Sequence, residues 1–217
     1  MGPAPSPGCG SSGLAKGREA AVRAAAAGAG RPLKLRFAPA TAAHWRDIQK
    51  LFGPNGACAG CWCMWWRLPR REWSAGKGEG NKAALRRLMG GGTVPGIIAL
   101  AQGKPVGWVA FAPREDYVRL SVSRTLKPID ARPVWSITCF FVARAYRGRG
   151  LMTRLIEAAV AFARKRGATL IEGYPTNPSG KTADAFMYTG TQSAFMRAGF
   201  ETAARPSKSA RIVRRAL

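Results

Sequence analysis

The sequence predicts one α/β domain: a mixed, mostly antiparallel sheet with a parallel pair of strands around one long helix. Three observations carry that prediction. Two apolar runs, Gly96–Ala101 and Pro105–Ala112, are joined by a tight Gln102-Gly103-Lys104 turn, which reads as a hairpin. Val134–Val142 (VWSITCFFV) is bulky on both faces, as a strand at the centre of a sheet should be. Arg149–Arg166 repeats Leu151, Leu155, Ala158, Ala159 and Phe162 at helical spacing. It leads into a strand at Thr169–Tyr174, which runs parallel to Val134–Val142 if the helix is a right-handed crossover.

The other elements follow in order. Residues 1–31 are Ala-, Gly-, Pro- and Ser-rich with scattered basic groups, too poor in bulky apolar residues to offset the entropy of ordering. They read as a disordered basic tail before a domain over residues 32–217. Leu33–Ala38 alternates as a strand. Thr41 caps a helix through Trp45, Ile48 and Leu51 to Phe52, stopped by Gly53-Pro54-Asn55-Gly56. A second helix is predicted over Asn81–Met89, with Asn81 as its cap and Leu85, Leu88 and Met89 on one face. Gln192–Arg197 forms a short helix ending at Gly199, followed by strands near Phe200–Ala204 and Ala210–Arg215.

Composition sets limits on function. Among 217 residues, 47% are hydrophobic, yet no run of about 18 apolar residues occurs, which excludes a membrane-spanning helix. The opening MGPAPSPGCGSSG lacks the layout of a secretory signal, so a cytoplasmic protein is expected. A formal charge of +24 attracts anions of every kind, nucleic acid and phosphorylated cofactors included. Nucleic acid is suggested by charge alone, without the aromatic-basic interleaving of RNA-binding sheets. Five cysteines, an odd number, argue for reduced thiols over a disulfide framework.

Chemistry concentrates at Val142-Ala143-Arg144-Ala145-Tyr146-Arg147-Gly148-Arg149-Gly150-Leu151-Met152, where a buried strand enters a glycine turn that opens a helix. The free N–H groups of a first helical turn, at the positive end of the dipole, suit phosphate oxygens. Gly148 and Gly150 let backbone approach an anion, while Arg147 and Arg149 add charge at the rim. The spacing matches neither a nucleotide-hydrolysing loop nor a dinucleotide fingerprint. It resembles the pyrophosphate loop of the GNAT family of N-acetyltransferases, Arg/Gln-x-x-Gly-x-Gly/Ala, here Arg147-Gly148-Arg149-Gly150-Leu151-Met152. Phe195-Met196-Arg197-Ala198-Gly199-Phe200 looks like that family's late helix and Gly-Phe. The resemblance spans roughly Leu33–Leu217. With CWCMWWR, PVGWVAFAPR, PVWSITCFFV and IEGYP, it looks like a bacterial subgroup.

The resemblance implies acetyl-CoA as co-substrate and direct transfer of its acetyl group to an amine, from a small molecule or a peptide. The pyrophosphate would lie on the amides of Gly148–Thr153, including those of Leu151 and Met152. The pantetheine arm would run beside Phe140–Val142, where an N–H near Phe141 or Val142 polarises the thioester carbonyl. Phe195 falls where many members carry the proton-donating tyrosine; Tyr188 or Tyr174 is a candidate acid, with a proton from bulk water or direct release of the thiolate as the alternatives. Glu172, near the end of its strand, is the candidate base, with an ion pair to an arginine as its other reading. Glu115 and Asp116 read as loop carboxylates able to meet a cationic acceptor. His44 reads as a capping or surface residue.

Cys58-Ala59-Gly60-Cys61-Trp62-Cys63 invites a zinc reading, but a fourth ligand is missing nearby and no metal is expected. The preferred reading is an extended segment with Cys61, Cys63 and Trp65 on one face and Trp62, Met64 and Trp66 on the other. Trp65 and Trp66 then line the acceptor pocket and hold a cation by their π-faces, and Arg67 meets an acceptor carboxylate or forms a salt bridge; ordinary core packing is the other reading of the segment. A CoA-binding module with little transferase activity, or a basic nucleic-acid-binding protein, are the alternatives. Either a monomer or a homodimer is compatible with the sequence.

Overall fold

The computed structural model describes residues 34–176, 188–207 and 210–217, so the predicted tail lies outside the described residues. Seven described strands form one sheet: β1 (Leu35–Pro39), β2 (Gly96–Ala101), β3 (Lys104–Pro113), β4 (Trp135–Val142), β5 (Leu170–Gly173), β6 (Glu201–Ala204) and β7 (Ile212–Ala216). Their order is β1-β2-β3-β4-β5-β7-β6. Every neighbouring pair is antiparallel except β4–β5. The predicted fold class therefore holds, parallel pair included. Gln102 and Gly103 both take positive φ, 50° and 75°, the two-residue hairpin turn that matches strand twist.

The helices are α1 (Trp45–Phe52), α2 (Arg70–Ala75), α3 (Glu79–Gly90), α4 (Val118–Ser121), α5 (Leu151–Lys165) and α6 (Gln192–Arg197). Two-residue alternation sorts β2 and β3 between two cores. Ile97, Ala99, Val109 and Phe111 pack with Leu155, Ile156 and Ala159 of α5 on one face. Ile98, Leu100, Trp108 and Ala110 meet Ile48, Phe52 and Leu85, from α1 and α3, on the other. The short helices α2 and α4 were not expected, since neither carries enough apolar periodicity to announce itself.

Asn81 is not a cap. Helix α3 starts two residues earlier, and Asn81 is fully buried, with Nδ2 donating to the carbonyls of Gly60 (3.0 Å) and Trp73 (3.2 Å). It ties the cysteine-containing loop to α2. Removing a buried amide that holds two carbonyls costs about 1–3 kcal/mol for each group left unsatisfied. Asn81→Ala is expected to lower the urea midpoint of unfolding accordingly.

Gly173 ends β5 against the ring of Phe195, where an added Cβ would come within 2.3 Å of Cε1. Phe195 is itself fully buried between Phe140 and Phe200. Gly173→Ala should destabilise by about 1–3 kcal/mol through overpacking, read as a drop in Tm.

Candidate functional site

β4 and β5 pair only over Trp135–Ile137 with Ile171–Gly173; β5 then stops while β4 continues to Val142. The strands part there, and the backbone N–H of Phe140 turns to the carbonyl of Tyr188 at 2.6 Å. A strand alternates its N–H groups, so that of Val142 faces the same side as Phe140, while that of Phe141 faces β3. Of the two amides considered for polarising a carbonyl, only Val142 is directed to this gap.

A cavity of about 890 Å³ opens along the parting. One end is the glycine turn, where Gly148 (φ 70°) and Gly150 (φ 72°) are left-handed and no neighbour lies within 4 Å of where a Cβ would stand. Gly150 is the N-cap of α5, so the first-turn amides of Leu151–Thr153 face an unobstructed space. The buried Thr153 Oγ1 has no hydrogen-bond partner. Arg147 holds the turn to β4, its Nε donating to the Val142 carbonyl at 3.0 Å. Nine of the ten residues expected to bind the cofactor line this cavity: Phe140, Phe141, Val142, Arg147, Gly148, Gly150, Leu151, Met152 and Thr153. Arg149 does not.

The other end is aromatic and thiol-rich: Trp65, Trp66, Trp73, Cys58, Cys61, Cys63 and Cys139. The segment carrying them is not extended. Ala57, Ala59, Trp62 and Cys63 all have positive φ, which turns the chain repeatedly and breaks the expected two-faced alternation. Left-handed backbone costs a non-glycine residue about 1–2 kcal/mol, so this loop stores strain at the cavity wall. Gly56 makes it possible, since a Cβ there would stand 2.4 Å from the buried Trp62 indole. Among the described residues no group of three metal-ligating side chains converges.

Trp65 and Trp66 do line the cavity. A face of Trp65 is already covered by the Arg119 guanidinium, 3.6 Å from the ring centroid, and the Trp73 ring meets Trp65 edge-on at 4.7 Å. Arg67 does not line the cavity. It is buried, pairs with Asp116 at 3.5 Å and stacks on Tyr117, while its Nη2 has no hydrogen-bond partner.

Glu172 is not placed as a base. It is 1% exposed, faces away from the cavity lining, and accepts from Arg214 Nε (2.6 Å), Arg114 Nη1 (3.4 Å) and the Tyr174 hydroxyl (2.8 Å). The reason is its position on β5: its side chain falls on the face covered by the 114–132 excursion, which supplies Arg114. Tyr174 is locked in the same network, also accepting from Arg114 at 2.6 Å and bonded to Ser136 at 2.7 Å. Burial, with Glu172 beside it, pushes its hydroxyl far above the ordinary phenol range, so it retains its proton. Tyr188 lines the cavity, and burial, aided by Cys139 and Cys61, raises its phenol too. It is a protonated group in reach of the parted strands. Phe195 lies outside the cavity lining, in the core. Glu115 is exposed on the short 3-10 turn Arg114–Asp116, and His44 meets Thr41 Oγ1 at 3.3 Å at a helix start; neither lines the cavity.

Sequence reasoning missed Trp73 and Cys139 as cavity residues. Trp73 sits in an unpredicted helix, and Cys139 enters the sequence reading only as a distant partner for the loop cysteines, within a strand read as central to the sheet.

Residues 62–187, more than half of the chain, match the profile of the acetyltransferase (GNAT) family. Among solved structures the chain is similar to the PaiA N-acetyltransferase of Thermoplasma acidophilum in complex with coenzyme A, with a TM-score of 0.50, 11% identity and coverage of 85% of this chain and 100% of that one. It is similar to a GNAT-family acetyltransferase of Listeria monocytogenes, with a TM-score of 0.51, 10% identity and coverage of 86% and 99%. It is also similar to an agmatine N-acetyltransferase mutant in its apo form, at 0.51, 13%, and coverage of 85% and 100%. No curated protein sequence matches the chain.

Proposed function

Because the chain belongs to the acetyltransferase (GNAT) family, we propose that it is an N-acetyltransferase taking the acetyl group of acetyl-CoA to an amine. The observation that carries this reading is the continuous cavity from the left-handed glycine turn to the parted β4 and β5. The residues present fit the co-substrate: open space over Gly148 and Gly150, first-turn amides of α5, and the partnerless Thr153 hydroxyl. Acetyl-CoA supplies the activated acyl group. Gly148–Thr153 would hold its pyrophosphate, with Arg147 and Arg197 giving positive charge at that end. Val142 N–H would stabilise negative charge on the carbonyl oxygen, and Tyr188 would supply a proton to the departing thiolate.

The acceptor end suits an amine with an apolar body, since Trp65, Trp66 and Trp73 dominate it and no carboxylate is found among its described lining residues. Polycations are disfavoured there by the chain's own +24 charge. No described helix is long and apolar enough to cross a membrane; action in the cytoplasm, on a small-molecule or peptide amine, is part of the proposal. The test is calorimetric titration of the full chain with acetyl-CoA, followed by an acceptor screen; absence of binding by folded protein would sink the reading.

A further inference from the structure

We propose that the acceptor is an amino acid with an apolar body, its carboxylate held by Arg119 while its amine meets the acetyl group at the parted strands. The inference rests on the acetyl-CoA reading above and narrows its acceptor from an amine to an amine that carries an anion.

Arg119, on α4, is tied to the acceptor wall and has no acceptor of its own there. Its backbone N–H donates to the Trp66 carbonyl at 3.1 Å, and its guanidinium lies 3.6 Å from the centroid of Trp65, so two cavity-lining residues fix its place. The guanidinium stands against a lining side chain without itself lining the cavity. Its buried Nε has no hydrogen-bond partner, and no carboxylate among the described residues pairs with it. The acids nearest in sequence are placed otherwise: Asp116 pairs with Arg67 at 3.5 Å, and Glu115 is exposed on the Arg114–Asp116 turn. The same wall holds a second donor lacking an acceptor, the buried indole N–H of Trp66. Native folds leave few buried donors unpaired, so two at one wall point to an acceptor from outside the chain.

Charge decides what kind of group that is. Burial first, and then the neighbouring Arg70, disfavour the charged guanidinium of Arg119 and lower its pKa, yet an arginine keeps its proton in a protein. A desolvated cation beside a second cation is a costly arrangement that an anion relieves. A cationic group has no matching place: one π-face of Trp65 already carries the protein's own cation, and no carboxylate is found among the described lining residues. Arg67, the arginine expected to meet an acceptor carboxylate, is spent on Asp116 and Tyr117. That role passes to Arg119, whose charge is also felt by the phenol of the cavity-lining Tyr188.

An amino acid satisfies all parts of the site at once. Its apolar body lies among Trp65, Trp66 and Trp73. Its planar carboxylate matches the guanidinium fork, and the long arginine stem lets that fork swing from the stack to the edge of the ring. Its two charges cancel, so the chain's +24 does not repel it as it repels a polycation. The transfer is direct. The ammonium first gives a proton to solvent, and the neutral amine then attacks, forming N–C as the C–S bond to coenzyme A breaks. The thiolate takes the Tyr188 proton, and the surplus amine proton returns to Tyr188 through solvent. The carboxylate is unchanged throughout, so its contact with Arg119 is a binding contact and belongs in KM.

The test is a set of matched acceptors given to the full chain with acetyl-CoA: L-phenylalanine and L-phenylalaninamide, L-leucine and L-leucinamide, 6-aminohexanoic acid and hexylamine. At least one acid is expected to exceed its uncharged partner in kcat/KM by about 10–100-fold, the range of a hydrogen bond to a charged group. In the amino-acid pairs the amide has the less basic amine, so a preference for the acid cannot come from amine ionisation. Arg119→Gln should bring that ratio close to one, chiefly by raising KM for the acid, and Arg119→Lys should restore part of it. A merely structural stack on Trp65 would move both members of a pair alike. Calorimetry with acetyl-CoA accompanies each protein. If the wild type binds acetyl-CoA but prefers no acid over its partner, turnover of none of them included, the proposal is overturned and the acetyltransferase reading survives. A preference that persists intact in folded Arg119→Gln overturns it too. The wild-type comparison decides even if a variant fails to fold. If the protein does not bind acetyl-CoA at all, that reading fails, and this inference with it.

Discussion

Gly150→Asp is expected to weaken acetyl-CoA binding at least about 100-fold, a loss of roughly 2.7 kcal/mol, while leaving the protein folded. The reasons are local. Position 150 is the N-cap of α5 and has φ 72°, ψ 6°, with nothing within 4 Å of where its Cβ would stand. Aspartate visits the left-handed region more readily than most residues, and its carboxylate is favourable to a helix N-terminus, so the fold has little reason to fail. The same carboxylate competes for the first-turn amides and repels a pyrophosphate brought to them. Stability and binding are thereby separated, which truncating a core residue cannot achieve. Adding Arg147→Ala removes the Nε bond that ties the turn to the Val142 carbonyl and should deepen the loss. Circular dichroism checks the fold and calorimetry the affinity. Unchanged affinity in the folded double variant would move the ligand away from this turn.

The part of this site that sequence made legible is the part built by local rules. Glycines at 148 and 150 are demanded by positive φ, and the helix after them by the spacing of Leu151, Leu155 and Ala159. Those signals lie within a few residues of the atoms they position, so nine of the ten residues expected to bind the cofactor line one cavity. The acceptor end obeys no such rule. Its wall joins residues 58–66, Trp73, Cys139 and Tyr188, four stretches that only the sheet brings together. The alternation of Cys61 to Trp66 suggested an extended strand because apolar residues occupied every position; pattern could not reveal that Trp62 and Cys63 are left-handed. Asn81 misled for a related reason. A cap and a buried amide bridging two loops look alike in sequence, and the difference lies in Gly60 and Trp73, respectively 21 and 8 residues away. Glu172 had two open readings, and the one that holds depended on partners 42 and 58 residues distant.

That distinction sets up the second large effect, which is on stability. Glu172→Gln is expected to destabilise the fold by about 3–5 kcal/mol, because it removes the charge between two nearly buried guanidiniums. The side chains of Arg114 and Arg214 are 12% and 10% exposed, and Glu172 accepts from both. Arg214 has a second carboxylate in Asp130 at 2.6 Å, whereas Arg114 is left with Tyr174 and the backbone carbonyls of Leu120 and Leu126. The burden therefore falls on the 114–132 excursion, which should loosen first and show faster amide exchange than β4. Asp130 does not rescue it, but it does fix the pH behaviour of the outer pair. Arg214 and Arg132 hold its carboxyl well below the ordinary range, so its contribution is complete above the unfolded carboxylate pKa and is lost only as pH falls toward the lowered folded value. Between neutral pH and about pH 5 the Asp130 contribution should thus stay constant in wild type and variant alike. A catalytic base would behave oppositely: the conservative variant would keep its urea midpoint, and turnover would fall with no change in stability. An unchanged midpoint in Glu172→Gln would return this carboxylate to the list of candidate bases, although its side chain would then have to leave two arginines and a tyrosine to reach the cavity.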